Sequence, residues 1–398
     1  VSWPLVKLGE LFKVTSGGTP SRRKPEFYEN GSIHWIKTGD LHNKYVESAS
    51  EFITQEALRC SSTKLYPKGT VLLAMYGATI GACSILNVEA CTNQACAAFT
   101  PNKNVDINYL YYLLKHCKPD FIKAGTGGAQ PNISGAFLKN YKIPLPPLAE
   151  QKRIAAILDK ADSIRQKRKQ AIDMADDLLR SVFLDMFGDP VNNPKGWAVD
   201  TLKELSTKIL SGNTPKGGSN VYVEEGISFF RSQNVWKNKI LLDDIVYIDK
   251  ETHSKMSKSS LKHKDILMTK TGRINTENSS LGRAALFLGE DGSANLNGHV
   301  YLIRLAQGVL HEFVVFILTM TEYRDYIRSV CVGGIDKRQI NKEHLEEFPI
   351  IAPPIELQKS FIAKVKVAKD MTESGRIALL EAEQMFNSLS QKAFAGEL

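Results

Sequence analysis

Arginine, lysine, asparagine and glutamine side chains recur beside glycine and hydroxyl residues in a few short polar stretches. In the first half these are Arg22-Arg23-Lys24, Lys37-Thr38-Gly39-Asp40, Tyr76-Gly77, and Gln130 with Asn132. In the second half they are Arg231-Ser232-Gln233-Asn234, Lys270-Thr271-Gly272-Arg273 and Lys337-Arg338-Gln339. Arg and Lys can read guanine, and Asn and Gln adenine, through paired hydrogen bonds in the major groove. The same residue types can grip phosphates, which fixes position without reading sequence. Any one stretch could equally be a solvated turn in which glycine supplies a positive φ. Two coincidences favour a site: Lys37-Thr38 and Arg231-Ser232 both follow an aromatic strand, and Tyr76-Gly77 and Thr271-Gly272 share a register. Asn93 and Asn297 recur before a predicted strand, either forming a turn or facing the site.

Other chemistries find no support. The cysteines (Cys60, Cys83, Cys91, Cys96, Cys117, Cys331) form no Cys-x-x-Cys pair and lie near no His at zinc-finger spacing, so they read as reduced, buried thiols. The scattered His residues suggest neither a triad nor a metal site. Gly125-Thr126-Gly127-Gly128 lacks the Lys-Ser/Thr ending of a phosphate loop and reads as a turn or flexible loop. An amino-methyltransferase needs Asp or Asn before its Pro-Pro and an aromatic after it. Here Pro146-Pro147 is flanked by Leu145 and Leu148, and Pro353-Pro354 by Ala352 and Ile355. A metal nuclease built on Asp120 and Glu150-Gln151-Lys152 is disfavoured, because the repeat described below sets Leu357 opposite Glu150, and a helix start suits Glu150. No catalytic residue, metal or cofactor is expected.

The 398 residues suit two or three domains, and a 43% hydrophobic content lets each bury a core. A net charge of +8 and a pI near 9.0 favour a polyanionic partner, nucleic acid before an anionic membrane. No apolar run reaches the roughly 18–20 residues of a bilayer span; the longest candidate is Phe313 to Met320. Val1-Ser2-Trp3-Pro4 lacks signal-peptide character. A cytoplasmic protein without a membrane partner is expected.

The elements that must position these loops are duplicated. Trp3-Pro4-Leu5-Val6-Lys7-Leu8 is echoed by Trp197-Ala198-Val199-Asp200-Thr201-Leu202, Ser16-Gly17-Gly18-Thr19-Pro20 by Ser211-Gly212-Asn213-Thr214-Pro215, and Ile33 to Thr38 by Ile227 to Ser232. Asn93-Gln94 matches Asn297-Gly298, and Gly127-Gly128 matches Gly333-Gly334 within one residue. Ile143 to Lys152 matches Ile350 to Lys359. The order holds while the offset drifts only from 194 to 207.

Each repeat opens with a globular segment of short apolar runs, such as Gly69 to Ala74 and Asp265 to Met268, which read as strands. Helical stretches follow at Asn108 to Lys118 and Leu310 to Ser329. This predicts an α+β fold with a mostly β core. Each repeat then closes on a long helix started by its Pro-Pro step. Apolar residues recur in steps of three and four: Ile154, Ile157, Ala161, Ile164, Ala171, Ala175, Leu178 and Val182, interrupted by Arg168. The second copy offers Phe361, Val365, Ala368, Gly375, Leu379, Ala382, Phe386, Leu389 and Ala393, interrupted by Thr372. These are heptad seams. A helix from Glu150 to Phe187 would be roughly 55 Å long, and its narrow seam needs a partner, for which its antiparallel duplicate is the obvious choice. The expected division is 1–148 and 189–352 as recognition domains, with 149–188 and 353–398 as spacer helices.

Two related heads on one spacer suit duplex DNA, where reading elements meet half-sites roughly 34 Å apart. Because the copies have diverged, an asymmetric, bipartite target with an unread gap is expected. The Pro-Leu-Pro-Pro-Leu-Ala-Glu-Gln and Ala-Pro-Pro-Ile-Glu-Leu-Gln steps, the helices after them, the Trp starts and the Ser-Gly-x-Thr-Pro loops resemble the specificity subunits of type I restriction-modification systems over essentially the whole chain. The resemblance implies two target-recognition domains, double-stranded DNA as ligand, two methyltransferase subunits that modify adenine N6, and restriction-translocase subunits in the full complex. A two-headed coiled-coil adaptor for proteins is the alternative.

Overall fold

The structure, a computed structural model, describes residues 3–126, 131–273, 279–334 and 337–398. It divides into two compact units, one of Val1–Ala171 with Gly375–Leu398 and one of Ile172–Ser374.

In the first unit, a five-stranded sheet runs in the order Thr15–Ser16, Cys96–Phe99, Val71–Ala74, Cys83–Leu86, Tyr45–Val46. A four-stranded sheet runs Phe52–Ile53, Ile33–Ile36, Ala90–Thr92, Leu65–Tyr66. The continuous apolar run 71–74 follows from burial on both faces. Successive side chains alternate, so Val71 and Leu73 pack towards the helix Ile107–His116, while Leu72 and Ala74 join Ile36 and Tyr66. Asp106 starts that helix by accepting from the amides of Asn108 and Tyr109, both at 3.0 Å.

The second unit repeats the plan. Ser206–Ser211, Val300–Leu305, Ile266–Thr269 and Ala284–Leu286 form the counterpart of the five-stranded sheet. The parallel pair Ile33–Ile36 with Ala90–Thr92 recurs as Ile227–Phe230 with Ala294–Leu296, with Ile36 opposite Thr92 and Phe230 opposite Leu296. The antiparallel pair Leu5–Lys7 with Lys142–Pro144 recurs as Val199–Thr201 with Pro349–Ile351, and each leads into a long helix. The helix expected over Leu310 to Ser329 is two, His311–Thr319 and Thr321–Val330, separated by extended Met320. The Thr319 hydroxyl bonds back to the carbonyls of Val315 and Phe316, a competition that often distorts helices.

The long helices span Leu148–Phe187 and Ile355–Ala395, each starting directly after its Pro-Pro step. Each unit contains part of both, packed antiparallel. In the first, Arg153 donates to the Leu398 carbonyl at 2.8 Å, the Arg165 guanidinium lies 5.3 Å from the Phe386 ring centre, and Arg168, where the seam breaks, donates to the Ala378 carbonyl. In the second, Phe183 and Phe187 stand edge-on to Phe361 at 5.3 and 5.6 Å. Two positions of the expected seam are corrected: Ala171 is exposed, and Leu178 is 62% exposed while Leu179 beside it is buried with Phe183 and Phe187. The large rings of Phe183, Phe187 and Phe361 decide which of the two adjacent leucines faces inward.

Burial pushes the Cys83 and Cys96 thiols up to about 12 and those of Cys91 and Cys117 to about 11, leaving them protonated at neutral pH. Cys60 departs from the expectation and is exposed. Among the described residues no helix is long and apolar enough to cross a membrane.

Candidate nucleic-acid interface

The strand Ile33–Ile36 ends in a tight turn over Thr38–Asp40, closed because the Asp40 carboxylate accepts from the Lys37 amide at 2.8 Å. Its counterpart Ile227–Phe230 ends in the same turn over Ser232–Asn234, where the Asn234 side-chain oxygen accepts from the Arg231 amide at 2.9 Å. One short acceptor three residues on therefore points Lys37 and Arg231 out of equivalent strand ends.

Asn93 and Asn297 connect these turns to the second pair of loops. The Asn93 amide donates to the Ile36 carbonyl at 3.0 Å, and that of Asn297 to Phe230 at 2.9 Å. Both side chains accept a backbone amide two residues on, from Ala95 at 3.2 Å and His299 at 3.0 Å. The carbonyls of Ala95 and His299 then receive the amides of Met75 and Lys270 at 2.8 and 2.9 Å. Of the two roles open to these asparagines, both side chains form the turn. Met75 and Lys270 also accept from Ile133 and Ile340, at 3.0 and 2.9 Å, and so hold a further segment. Tyr76 pairs with Asn132 in one copy, and Thr271 with Gln339 in the other. In each head, four chain segments converge at one end of the sheets.

The Ser-Gly-x-Thr-Pro loops pack against the same place. A Cβ on Gly17 would sit 1.9 Å from the Thr92 carbonyl oxygen, and one on Gly212 2.3 Å from that of Leu296, so both positions require glycine. Trp35 donates to the Gly18 carbonyl at 3.0 Å, and the Thr19 hydroxyl donates to Gln94.

The predicted residues divide by exposure and by what their side chains already hold. Arg22, Arg23, Lys24, Tyr76, Asn132, Gln233, Arg273 and Lys337 are exposed. Arg22 lies over the rings of Tyr28 and Trp35, 4.3 and 5.2 Å from their centres, and Lys24 lies 4.9 Å from that of Phe27. Lys37, Thr38, Arg231, Ser232, Lys270, Thr271 and Arg338 are half-buried. Lys270 stands 5.3 Å from the Tyr301 ring, and Arg338 donates to the Cys331 carbonyl at 3.1 Å from the hairpin of Val332–Gly334 with Lys337–Gln339. Gln130 and the Gly127-Gly128 pair lie outside the described residues. Asn234 is a correction. It is 1% exposed, and its amide nitrogen donates to the carbonyls of Leu241 and Asp244 at 3.1 and 3.2 Å, so it shapes the turn and has nothing left to offer a base.

Sequence reasoning missed two carboxylates. Glu51 forms ion pairs with Lys37, at 2.5 Å, and with Arg22. The Lys37 ammonium, and after it the Arg22 guanidinium, hold the Glu51 carboxyl below its usual range. Asp244 accepts from Gln233 at 2.9 Å and from Arg231 at 3.0 Å, and these bonds likewise hold its carboxyl below the usual range. It also missed two arginines under the second head's loops. Arg283 stacks 3.9 Å from the Trp236 ring and donates to the Ser279 carbonyl at 3.0 Å. Arg324, 5% exposed, donates to Gly282 and Leu281 at 3.0 and 3.2 Å, and burial lowers it to about 10. Isolated in the sequence, none of the four carries a signal beyond its charge.

Comparison with known proteins agrees with this geometry. The model of the type I restriction modification DNA specificity domain matches residues 1–174 and again 194–382. The MjaIX specificity subunit of Methanocaldococcus jannaschii is 26% identical over 418 residues, covering 100% of this chain and 93% of that protein. The EcoR124I/EcoR124II specificity subunit of Escherichia coli is 38% identical over 162 residues, which is 39% of this chain and 40% of that protein. A solved chain from a study of type I R-M complex assembly superposes with a TM-score of 0.60 at 16% identity, over 100% of this chain and 98% of its own. The S subunit from M. genitalium gives 0.56 at 15% identity, covering 99% and 96%. With its recognition fold built twice, the chain belongs to the type I restriction modification DNA specificity family.

Proposed function

We propose that this chain addresses a type I restriction-modification complex to an asymmetric, bipartite site on double-stranded DNA. Residues 1–148 and 189–352 would each read one half-site, and the helical segments 149–188 and 353–398 would carry two adenine methyltransferase subunits and the restriction-translocase subunits. The chain itself has no catalytic role in this reading. Each methyltransferase partner flips an adenine out of the duplex to reach its amine. The complex works on cytoplasmic DNA.

One observation carries the proposal. Both heads bring the same pair of loops, Lys37-Thr38 beside Tyr76 and Arg231-Ser232 beside Thr271, to one end of the sheets through the same asparagine turn. In this reading Arg22, Arg23, Lys24, Lys37, Thr38, Tyr76, Gln130 and Asn132 serve the first half-site. Arg231, Ser232, Gln233, Lys270, Thr271, Arg273, Lys337 and Arg338 serve the second.

The test is to reconstitute the chain with its methyltransferase partner and sequence the methylated positions on mixed genomic DNA. A motif of two unlike half-sites around a fixed gap is expected, together with a steep loss of random-duplex affinity as salt rises. Salt-independent or absent DNA binding would favour the protein adaptor. Methyl transfer by the chain alone would refute the division of labour.

A further inference from the structure

In both heads the basic residue that follows the parallel-paired strand is held by a carboxylate from the segment that leads into the antiparallel strand beside it. Lys37 meets Glu51, next to Phe52–Ile53, and Arg231 meets Asp244, which precedes Val246–Ile248. The two carboxylates do not occupy equivalent positions. The Trp35 amide donates to the Glu51 carbonyl at 3.0 Å, and Phe229, the counterpart of Trp35, pairs with Val246. The position equivalent to Glu51 is thus Val246, two residues beyond Asp244. Diverged copies keep the contact while drawing it from different places ahead of the strand.

Stability does not account for this recurrence. The side chains of Lys37 and Glu51 are 33% and 31% exposed, and those of Arg231 and Asp244 are 20% and 70% exposed. Ion pairs that keep this much contact with solvent contribute only modestly to folding. What they do fix is direction. Glu51 holds Lys37 and also Arg22, whose guanidinium lies over Tyr28. Asp244 accepts Arg231 through its carboxylate at 3.0 Å and through its backbone carbonyl at 2.6 Å, and Gln233 at 2.9 Å. A long side chain gripped at its charged end gives up rotamer freedom before DNA arrives, which lowers the ordering cost of binding.

We infer that Glu51 and Asp244 are positioning residues that pre-orient the base-reading groups of their own heads, Glu51 for Arg22 and Lys37 and Asp244 for Arg231 and Gln233. The inference rests on the DNA-reading function proposed above. A carboxylate in this role repels phosphates, so it trades general DNA affinity for selectivity between bases.

The experiment compares wild type, Glu51→Gln, Asp244→Asn and the double variant in the reconstituted methyltransferase complex. It measures base preference at each half-site and affinity for random duplex. Glu51→Gln should relax preference in one half-site by about tenfold, the order of one lost bidentate contact, while the other half-site stays sharp. Asp244→Asn should do the converse, random-duplex affinity should rise in both, and Glu51→Asp should restore part of the preference. A uniform rise in affinity with both half-sites still sharp would overturn the inference, as would equal blurring of both half-sites by either single change. A wild-type complex with no motif would defeat the DNA-reading function and the inference with it. A normal wild-type motif that survives both changes would defeat the inference alone.

Discussion

Gln233 and Asn234 are neighbours of similar chemistry with opposite circumstances. Gln233 is exposed and shares only the Asp244 carboxylate, whereas Asn234 is buried and closes the turn through three hydrogen bonds. A buried polar group stripped of its partner costs about 1–3 kcal/mol, while a solvated one costs little. Asn234→Ala should therefore lower the stability of the second head by about 2 kcal/mol, read from chemical denaturation. Gln233→Ala should leave the denaturation midpoint in place and alter DNA preference only. Equal destabilisation by the two would contradict the assigned roles. The adjacent letters in the sequence look interchangeable as base readers; their difference arises from the segment 241–244 folding over one of them.

Elements differ in how far local chemistry determines them. Both long helices begin where their prolines dictate, and in both a glutamine four residues after the second proline ties the start back. Gln151 donates to the Pro146 carbonyl at 2.8 Å, and Gln358 to that of Pro353 at 2.8 Å. Gln151 does more, donating to the Asn104 carbonyl at 3.1 Å and accepting from the Asp106 amide at 2.9 Å, so the same residue that starts one helix also supports the cap of Ile107–His116. Gln151→Ala should accordingly cost about 2–3 kcal/mol and Gln358→Ala about 1 kcal/mol, by the number of bonds lost and the burial of their partners. Equal thermal shifts would argue against the link. Features of this kind were legible in the sequence because turn chemistry and repetition act within a few residues: the Pro-Pro starts, the paired glycines at Gly17 and Gly212, and the shared register of Tyr76 and Thr271. The choice of Leu179 over Leu178 and the break at Met320 were not legible, since each depends on what packs opposite. The carboxylate clamps were hidden for a further reason: Glu51 and Asp244 fall out of register, so the comparison of repeats that exposed the loops passes over them.

At the scale of the whole molecule, the two heads are unequal in how the chain builds them. The second unit is one continuous stretch, Ile172–Ser374, whereas the first needs Gly375–Leu398 to complete it. Phe386 and Ala393 are buried in the same core as Tyr109 and Tyr112, and the Phe394 ring meets Tyr109 and His116 at 5.7 and 5.0 Å. Removing a large buried aromatic side chain costs about 3–5 kcal/mol, and a domain is stable by only about 5–15 kcal/mol. Deleting Gly375–Leu398 should therefore unfold the first unit selectively. Hydrogen exchange would show Val71–Ala74, Cys96–Phe99 and Ile107–His116 losing protection while Ile266–Thr269 and Val300–Leu305 keep theirs. Equal loss in both units would mean that they fold as one cooperative body, and no loss would mean that the first core does not depend on its distant segment. The same dependence should delay folding of the first head during synthesis, because Phe386 and Ala393 leave the ribosome only after the whole second unit has been made. Retention of one half-site preference by the truncated chain would then identify which stretch of the target belongs to the second head.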